Sequence, residues 1–203
     1  WVAQDWGDNY YSSTFAITFL SRKAFLGAPE QGPRTEGSLT VTVPRVGRYL
    51  ALVRYEAAYH FETQFTLRIV QNGAVKLERL YGARDNEKIW AFKQKIKKEV
   101  AWPWGAVENI VWEGHEAFVD LEPGLATLSL IADDQPEPAA RRNVDLVMLT
   151  DDLEQVARRI DMEGYLPLDG MLTQAGDVFL RAVNEAQTPI TLKIPPTREH
   201  SPY

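Results

Sequence analysis

The sequence predicts an all-β fold: an antiparallel β-sandwich of the jelly-roll kind, followed by a short helix and a β-rich C-terminal tail. Three observations carry that prediction. Apolar residues alternate with polar ones at period two through most of the first 150 residues. Turn signals punctuate the runs at short intervals. No helical periodicity lies between the runs, as a parallel α/β sheet would need.

The elements follow in chain order. Ser13 to Leu20 is a first strand-like stretch. Ser38 to Val43 puts Leu39, Val41 and Val43 on one face and hydroxyls on the other. Pro44 and Gly47 bracket a turn. Arg48 to Glu56 alternates Tyr49, Ala51, Val53 and Tyr55 with Leu50, Leu52 and Arg54, so both faces are largely apolar, as in a central strand. Gln64 to Val70 aims Phe65, Leu67 and Ile69 inward. Asn72-Gly73 is a strong hairpin signal, and Ala74 to Tyr81 is its return strand. Ala117 to Leu121, Leu125 to Ile131 and Asn143 to Thr150 are three more strands. Pro123-Gly124 separates the first two, and a polar, solvated run from Asp133 to Arg142 separates the last two.

The pattern changes at Asp151. There Asp151 is placed to cap a helix to Ile160, with Glu154 completing a capping box and Leu153, Val156 and Ile160 on one face. Val178 to Val183 and Pro189 to Ile194 look like strands again. The domain division expected is therefore a sandwich over 1–150 and a unit over 151–203. That tail either packs on the sandwich or opens a truncated second β-domain, being too short for a core of its own.

Composition narrows function. The chain has 203 residues, 45% hydrophobic and 25% charged, which fits a folded globular protein. The 22 Lys and Arg against 28 Asp and Glu give a net charge of -6, which disfavours nucleic acid and acidic membranes as partners. No run approaches the roughly 20 apolar residues of a membrane helix. With no cysteine, disulfides and thiolate chemistry are excluded. Trp1 reads as a processed or trimmed start.

The unusual segment is Lys88 to Gly114, which holds Trp90, Trp102, Trp104 and Trp112 around a basic run of Lys93, Lys95, Lys97 and Lys98. Two readings stay open: rings that plug the core beneath a long hairpin, or a platform on which sugar rings stack. Trp102-Pro103-Trp104-Gly105 is the best binding candidate, since Pro and Gly mark a loop. Asp8-Asn9-Tyr10-Tyr11 is a second aromatic cluster, either an edge cover or a hydroxyl-binding group. Asp133-Asp134, Glu137, Asp145 and Asp151-Asp152 invite a calcium reading without EF-hand spacing. Glu108 and Glu113 form a weak glycosidase pair. His60, His115 and His200 show no paired metal spacing.

A resemblance joins these pieces. Val43-Pro44-x-x-Gly47-x-Tyr49 with Val53-Arg54-Tyr55, then Leu121-x-Pro123-Gly124-x-Ala126-Thr127-Leu128-x-Leu130, then Asn143-Val144-Asp145-Leu146-Val147-Met148-Leu149 resemble, in order, runs of galactose-binding-like jelly rolls. These include carbohydrate-binding modules of families 6 and 35. The resemblance implies ligand contacts at Trp102 or Trp104, at Asn143, and at Tyr10 or Tyr11. It implies no cofactor beyond a structural Ca²⁺ with Asp145 as its later ligand; the family's early Glu-x-Glu is missing, with Gln4 and Asp5 nearest. The function so implied is a non-catalytic polysaccharide-binding module of a larger secreted protein, extracellular or periplasmic. Its partners are a poly- or oligosaccharide and neighbouring domains. The alternatives are an interdomain structural sandwich and a fragment of a β-sandwich carbohydrate-active enzyme.

Overall fold

The computed structural model describes residues 1–5, 24–57, 60–90, 110–154, 156–157, 179–183 and 189–193. Thirteen strands are described: β1 (Val2–Asp5), β2 (Ala24–Ala28), β3 (Thr35–Val43), β4 (Gly47–Glu56), β5 (Phe65–Gln71), β6 (Ala74–Tyr81), β7 (Ile89–Trp90), β8 (Ile110–Glu113), β9 (Phe118–Leu121), β10 (Gly124–Ala132), β11 (Arg142–Thr150), β12 (Phe179–Val183) and β13 (Pro189–Lys193). They form two antiparallel sheets. The first runs β1-β2-β11-β4-β8-β7, with β9 also on β4; the second runs β13-β12-β3-β10-β5-β6. The protein is the all-β sandwich that the alternation predicts.

The inward residues are those the period-two pattern selects. Tyr49, Ala51, Val53 and Tyr55 of β4 face Phe65, Leu67 and Ile69 of β5 and Leu128 and Leu130 of β10 across one core. Phe65 lies at an aromatic centre, edge-on to Tyr55 at 5.4 Å and stacked on Tyr81 at 5.8 Å. Trp1 joins it edge-on at 6.1 Å. On β3, Val43 is buried, while Leu39 and Val41 are half-buried. Asn72 and Gly73 both have positive φ, 54° and 74°, and Gln71 pairs Ala74. That is the tight two-residue turn for which the Asn-Gly pair is suited.

The outer face of the first sheet is apolar too. Leu50 and Leu52 of β4 pack there with Trp112, Ile89, Met148 and Val156, with Leu146 and Leu153 against them. This second layer explains why β4 reads as apolar on both faces.

The stretch expected as a helix from Asp151 is represented by helical backbone at 153, 154, 156 and 157. Its first bond runs from the Val156 N–H to the Asp152 carbonyl at 3.2 Å, and Thr150 Oγ1 accepts the Asp152 N–H at 3.2 Å. The Asp151 carboxylate turns instead to Arg45, accepting its Nε and Nη2, so the expected Asp151 cap is replaced. β12 pairs β3 through Arg181 to Ser38, Ala182 to Gly37 and Val183 to Glu36, which places the described tail strands in the second sheet. The rest of the helix to Ile160, the connector Gly164 to Gly170 and the Ser13 to Leu20 stretch lie outside the described residues.

Candidate functional site

The site begins where β11 leaves its loop. Arg142, at the first position of β11, is 2% exposed. Its guanidinium donates to the carbonyls of Gln64, Pro29 and Asp133, tying three loops together. Burial lowers its pKa, and the nearby Asp133, Asp134 and Glu30 charges partly oppose that. Gln135 completes the knot: Oε1 accepts the Gln64 N–H at 2.6 Å, and Nε2 donates to the Glu30 and Ala140 carbonyls at 2.8 and 2.9 Å. The run from Asp133 to Arg142, expected to be solvated, therefore contains two buried anchors. Its side-chain amide and guanidinium satisfy loop carbonyls that burial would otherwise leave unpaired.

Held by this knot, Asn143 stands beside Glu56 at the end of β4. Its Nδ2 donates to Glu56 Oε2 at 2.6 Å. The other amide atom, Asn143 Oδ1, is buried and has no hydrogen-bond partner among the described residues. Burial raises the Glu56 pKa, and the Asn143 hydrogen bond opposes that rise. Beyond them the β11–β4 register shifts between Val144 and Leu146. The bulge leaves Asp145 out of the ladder, where it faces Arg54 with Oδ2 3.5 Å from Nε; the two side chains are 1% and 4% exposed. Arg54 alternates with core-facing Val53 and Tyr55, so this polar group belongs to the outer face of the sheet. Burial lowers the Arg54 pKa and the Asp145 charge counteracts it.

Topology adds a neighbour. Glu56 pairs with Ile110 of β8, and Trp90 of β7 pairs with Val111. β7 thus ends at Trp90 and β8 begins at Ile110 at the sheet end where Glu56 and Asn143 lie, and Trp102 and Trp104 fall between these two strands in the sequence. Trp102, Trp104, Tyr10 and Tyr11 themselves lie outside the described residues, as do Lys93 to Lys98, Glu108 and His200. Trp112 is fully buried in the outer apolar layer and is a core plug.

The calcium expectation at Asp145 meets a poor donor set. A guanidinium faces the carboxylate, and among the described residues Asp145 joins no group of three or more metal-capable side chains. Ca²⁺ needs six to eight oxygens. The other acidic residues serve their own loops: Asp133 accepts from Arg34 at 2.8 Å, Asp134 from the Gly32 N–H at 3.0 Å, and Glu137 from Gln31 at 3.0 Å. Glu113 lies inside the sandwich, accepting from Tyr55 Oη at 2.7 Å, the Gly82 N–H at 2.9 Å and Asn86 Nδ2 at 2.7 Å. Three donors on a buried carboxylate make it an architectural anchor. Glu56 and Arg54 were not among the expected site residues. Their signal is charge at the end of a strand whose stretch from Tyr49 to Val53 is apolar on both faces.

Fold and site together define a β-sandwich domain with a half-buried polar pair at one sheet end, where β7 ends and β8 begins. No protein-family model matches the chain, and no curated protein does. Among solved structures, the chain is similar to a cycloisomaltooligosaccharide glucanotransferase of Paenibacillus sp., complexed with cycloisomaltoheptaose. The likeness has a TM-score of 0.38 at 18% identity, and covers 66% of this chain and 15% of that one.

Proposed function

We propose that this chain is a non-catalytic carbohydrate-binding module of a larger extracellular or periplasmic protein. The observation that carries this reading is the buried, unpartnered Asn143 Oδ1 beside Glu56, at the sheet end where β7 ends at Trp90 and β8 begins at Ile110. A buried amide oxygen without a donor is costly, and a ligand hydroxyl would satisfy it. A sugar hydroxyl both donates and accepts, so it can give its proton to Oδ1 and accept from a neighbouring donor. An indole from the adjoining connection would cover the apolar C–H face of the same ring. In this reading Glu56 orients the Asn143 amide, and Arg54 and Asp145 neutralise one another beneath the site. None of these groups is assigned a catalytic step.

Binding of the isolated chain to a broad glycan array, followed by titration calorimetry on the hits, tests the reading. It expects saturable binding with a change in Trp fluorescence, weakened in Trp102→Ala or Trp104→Ala. Absence of binding to any glycan by the folded chain would overturn it in favour of an interdomain structural role.

A further inference from the structure

A second cluster lies away from Asn143, at the lateral edge where the chain crosses between the sheets. His115 and Glu116 occupy the turn between β8 and β9, and Glu87 comes from the loop before β7. His115 Nε2 stands 3.5 Å from Glu87 Oε2 and 3.6 Å from Glu116 Oε1. One ligand atom from each residue can be chosen so that all three lie within 4.8 Å of one another. These separations are long for N–H···O hydrogen bonds, which cluster at about 2.7 to 3.2 Å. The two distances from His115 Nε2 match the edge of a coordination tetrahedron: bonds of about 2.0 to 2.1 Å place neighbouring ligand atoms roughly 3.4 Å apart. Nδ1 of His115 is buried, which leaves Nε2 as the nitrogen an ion can reach.

The two segments that bring the ligands together are fixed independently of any ion. Asn86, next to Glu87, is tied to the buried Glu113 at 2.7 Å. Lys88, on its other side, donates to the carbonyls of Ala83 at 2.7 Å and Asn86 at 2.9 Å. In the turn, the Ala117 N–H donates to the Gly114 carbonyl at 2.9 Å. Gly114 has φ of 105°, and a Cβ there would stand 2.2 Å from the Ala51 carbonyl oxygen. The backbone therefore lies directly on β4 and positions His115 by close approach. The carboxylate side chains of Glu87 and Glu116 are 74% and 60% exposed, so an ion can enter from solvent.

We propose that Glu87, His115 and Glu116 form a binding site for a divalent transition-metal ion of the zinc class. The imidazole favours such ions over Ca²⁺ and Mg²⁺, which take oxygen ligands. Three protein ligands leave a fourth position open to water or to a ligand. The bound ion would clip the crossing loop to the β8–β9 turn and stabilise the folded state by mass action.

The experiment is ZnCl₂ titration of the EDTA-stripped, dialysed chain, read by calorimetry and by thermal unfolding. The expected result is one equivalent bound, a higher Tm, and no displacement by a large excess of Ca²⁺. Co²⁺ in place of Zn²⁺ should give the visible spectrum of a tetrahedral site. Glu87→Gln/Glu116→Gln and His115→Ala should each weaken Zn²⁺ binding by about tenfold or more, the range that even outer contacts to a metal site command. His60→Ala should bind as the parent does. If His115→Ala fails to fold, the double Gln variant, altered only at exposed side chains, decides. No Zn²⁺ uptake by the parent, uptake unchanged in the double variant, or ready displacement by Ca²⁺ would overturn the proposal.

Discussion

Asn143 Nδ2 donates to Glu56 Oε2 at 2.6 Å across neighbouring strands of the first sheet. The bond couples an amide whose other polar atom is buried without a partner to a carboxylate that burial holds above its ordinary pKa of 4.5. The folded chain therefore keeps the Glu56 proton to higher pH than the unfolded chain. The stability linked to this proton is fully present below the unfolded pKa and is lost as pH rises through the folded one. Glu56→Gln keeps an acceptor for Asn143 and removes the titration. It should raise Tm at pH 7, with the advantage shrinking as pH falls toward 4. Thermal unfolding across that range checks this; a constant difference between variant and parent would contradict it.

Arg142 is a second test, of architecture. Its guanidinium donates to three loop carbonyls, and no residue of similar shape replaces those donors. Arg142→Met should cost about 3 kcal/mol or more, since each buried acceptor left unpaired costs roughly 1 to 3 kcal/mol. Arg142→Lys should recover only part of the loss, because an ammonium lacks the planar fork. Urea denaturation midpoints of both variants measure it. A parent-like midpoint for Arg142→Met would show that the knot does not hold the sheet end.

Trp112 separates the two roles open to the tryptophan-rich segment. It is fully buried against Leu50, Leu52, Met148 and Val156. Trp112→Ala should cost roughly 3 to 5 kcal/mol of stability, as core truncation of an aromatic does. Differential scanning calorimetry reads the loss. A Tm close to the parent's would place the ring outside the core.

The sandwich was legible because strand alternation records which face meets the core. Phe65, Leu67 and Ile69 alternate, and all three are buried. The Asn72-Gly73 turn was legible because its two positive φ angles select those residues. β1, β2, β7 and β8 were not read as strands. β7 has two residues and β8 has four, too short for a period to show. Trp1 gives no local sign that it enters the core, since its ring contact is with Phe65, far along the chain. The position of Asn143 at the start of a strand was legible in the sequence. Its partner Glu56 was not, because cross-strand register is a property of the folded sheet. The Glu87–His115–Glu116 cluster was invisible for the same reason: Glu87 comes from a different loop than His115 and Glu116, and the three share no spacing motif.

The proposed carbohydrate function stands on glycan binding at the Asn143 end of the sheet. The most direct measurement is titration calorimetry of Asn143→Ala against the best glycan found for the parent, paired with thermal unfolding of the same sample. Affinity should fall by about 1 kcal/mol or more, as loss of a hydrogen-bond partner for a ligand hydroxyl requires. Tm should fall little, because the deleted amide already leaves one buried atom unpaired in the free protein. Unchanged affinity in a folded Asn143→Ala variant would contradict it.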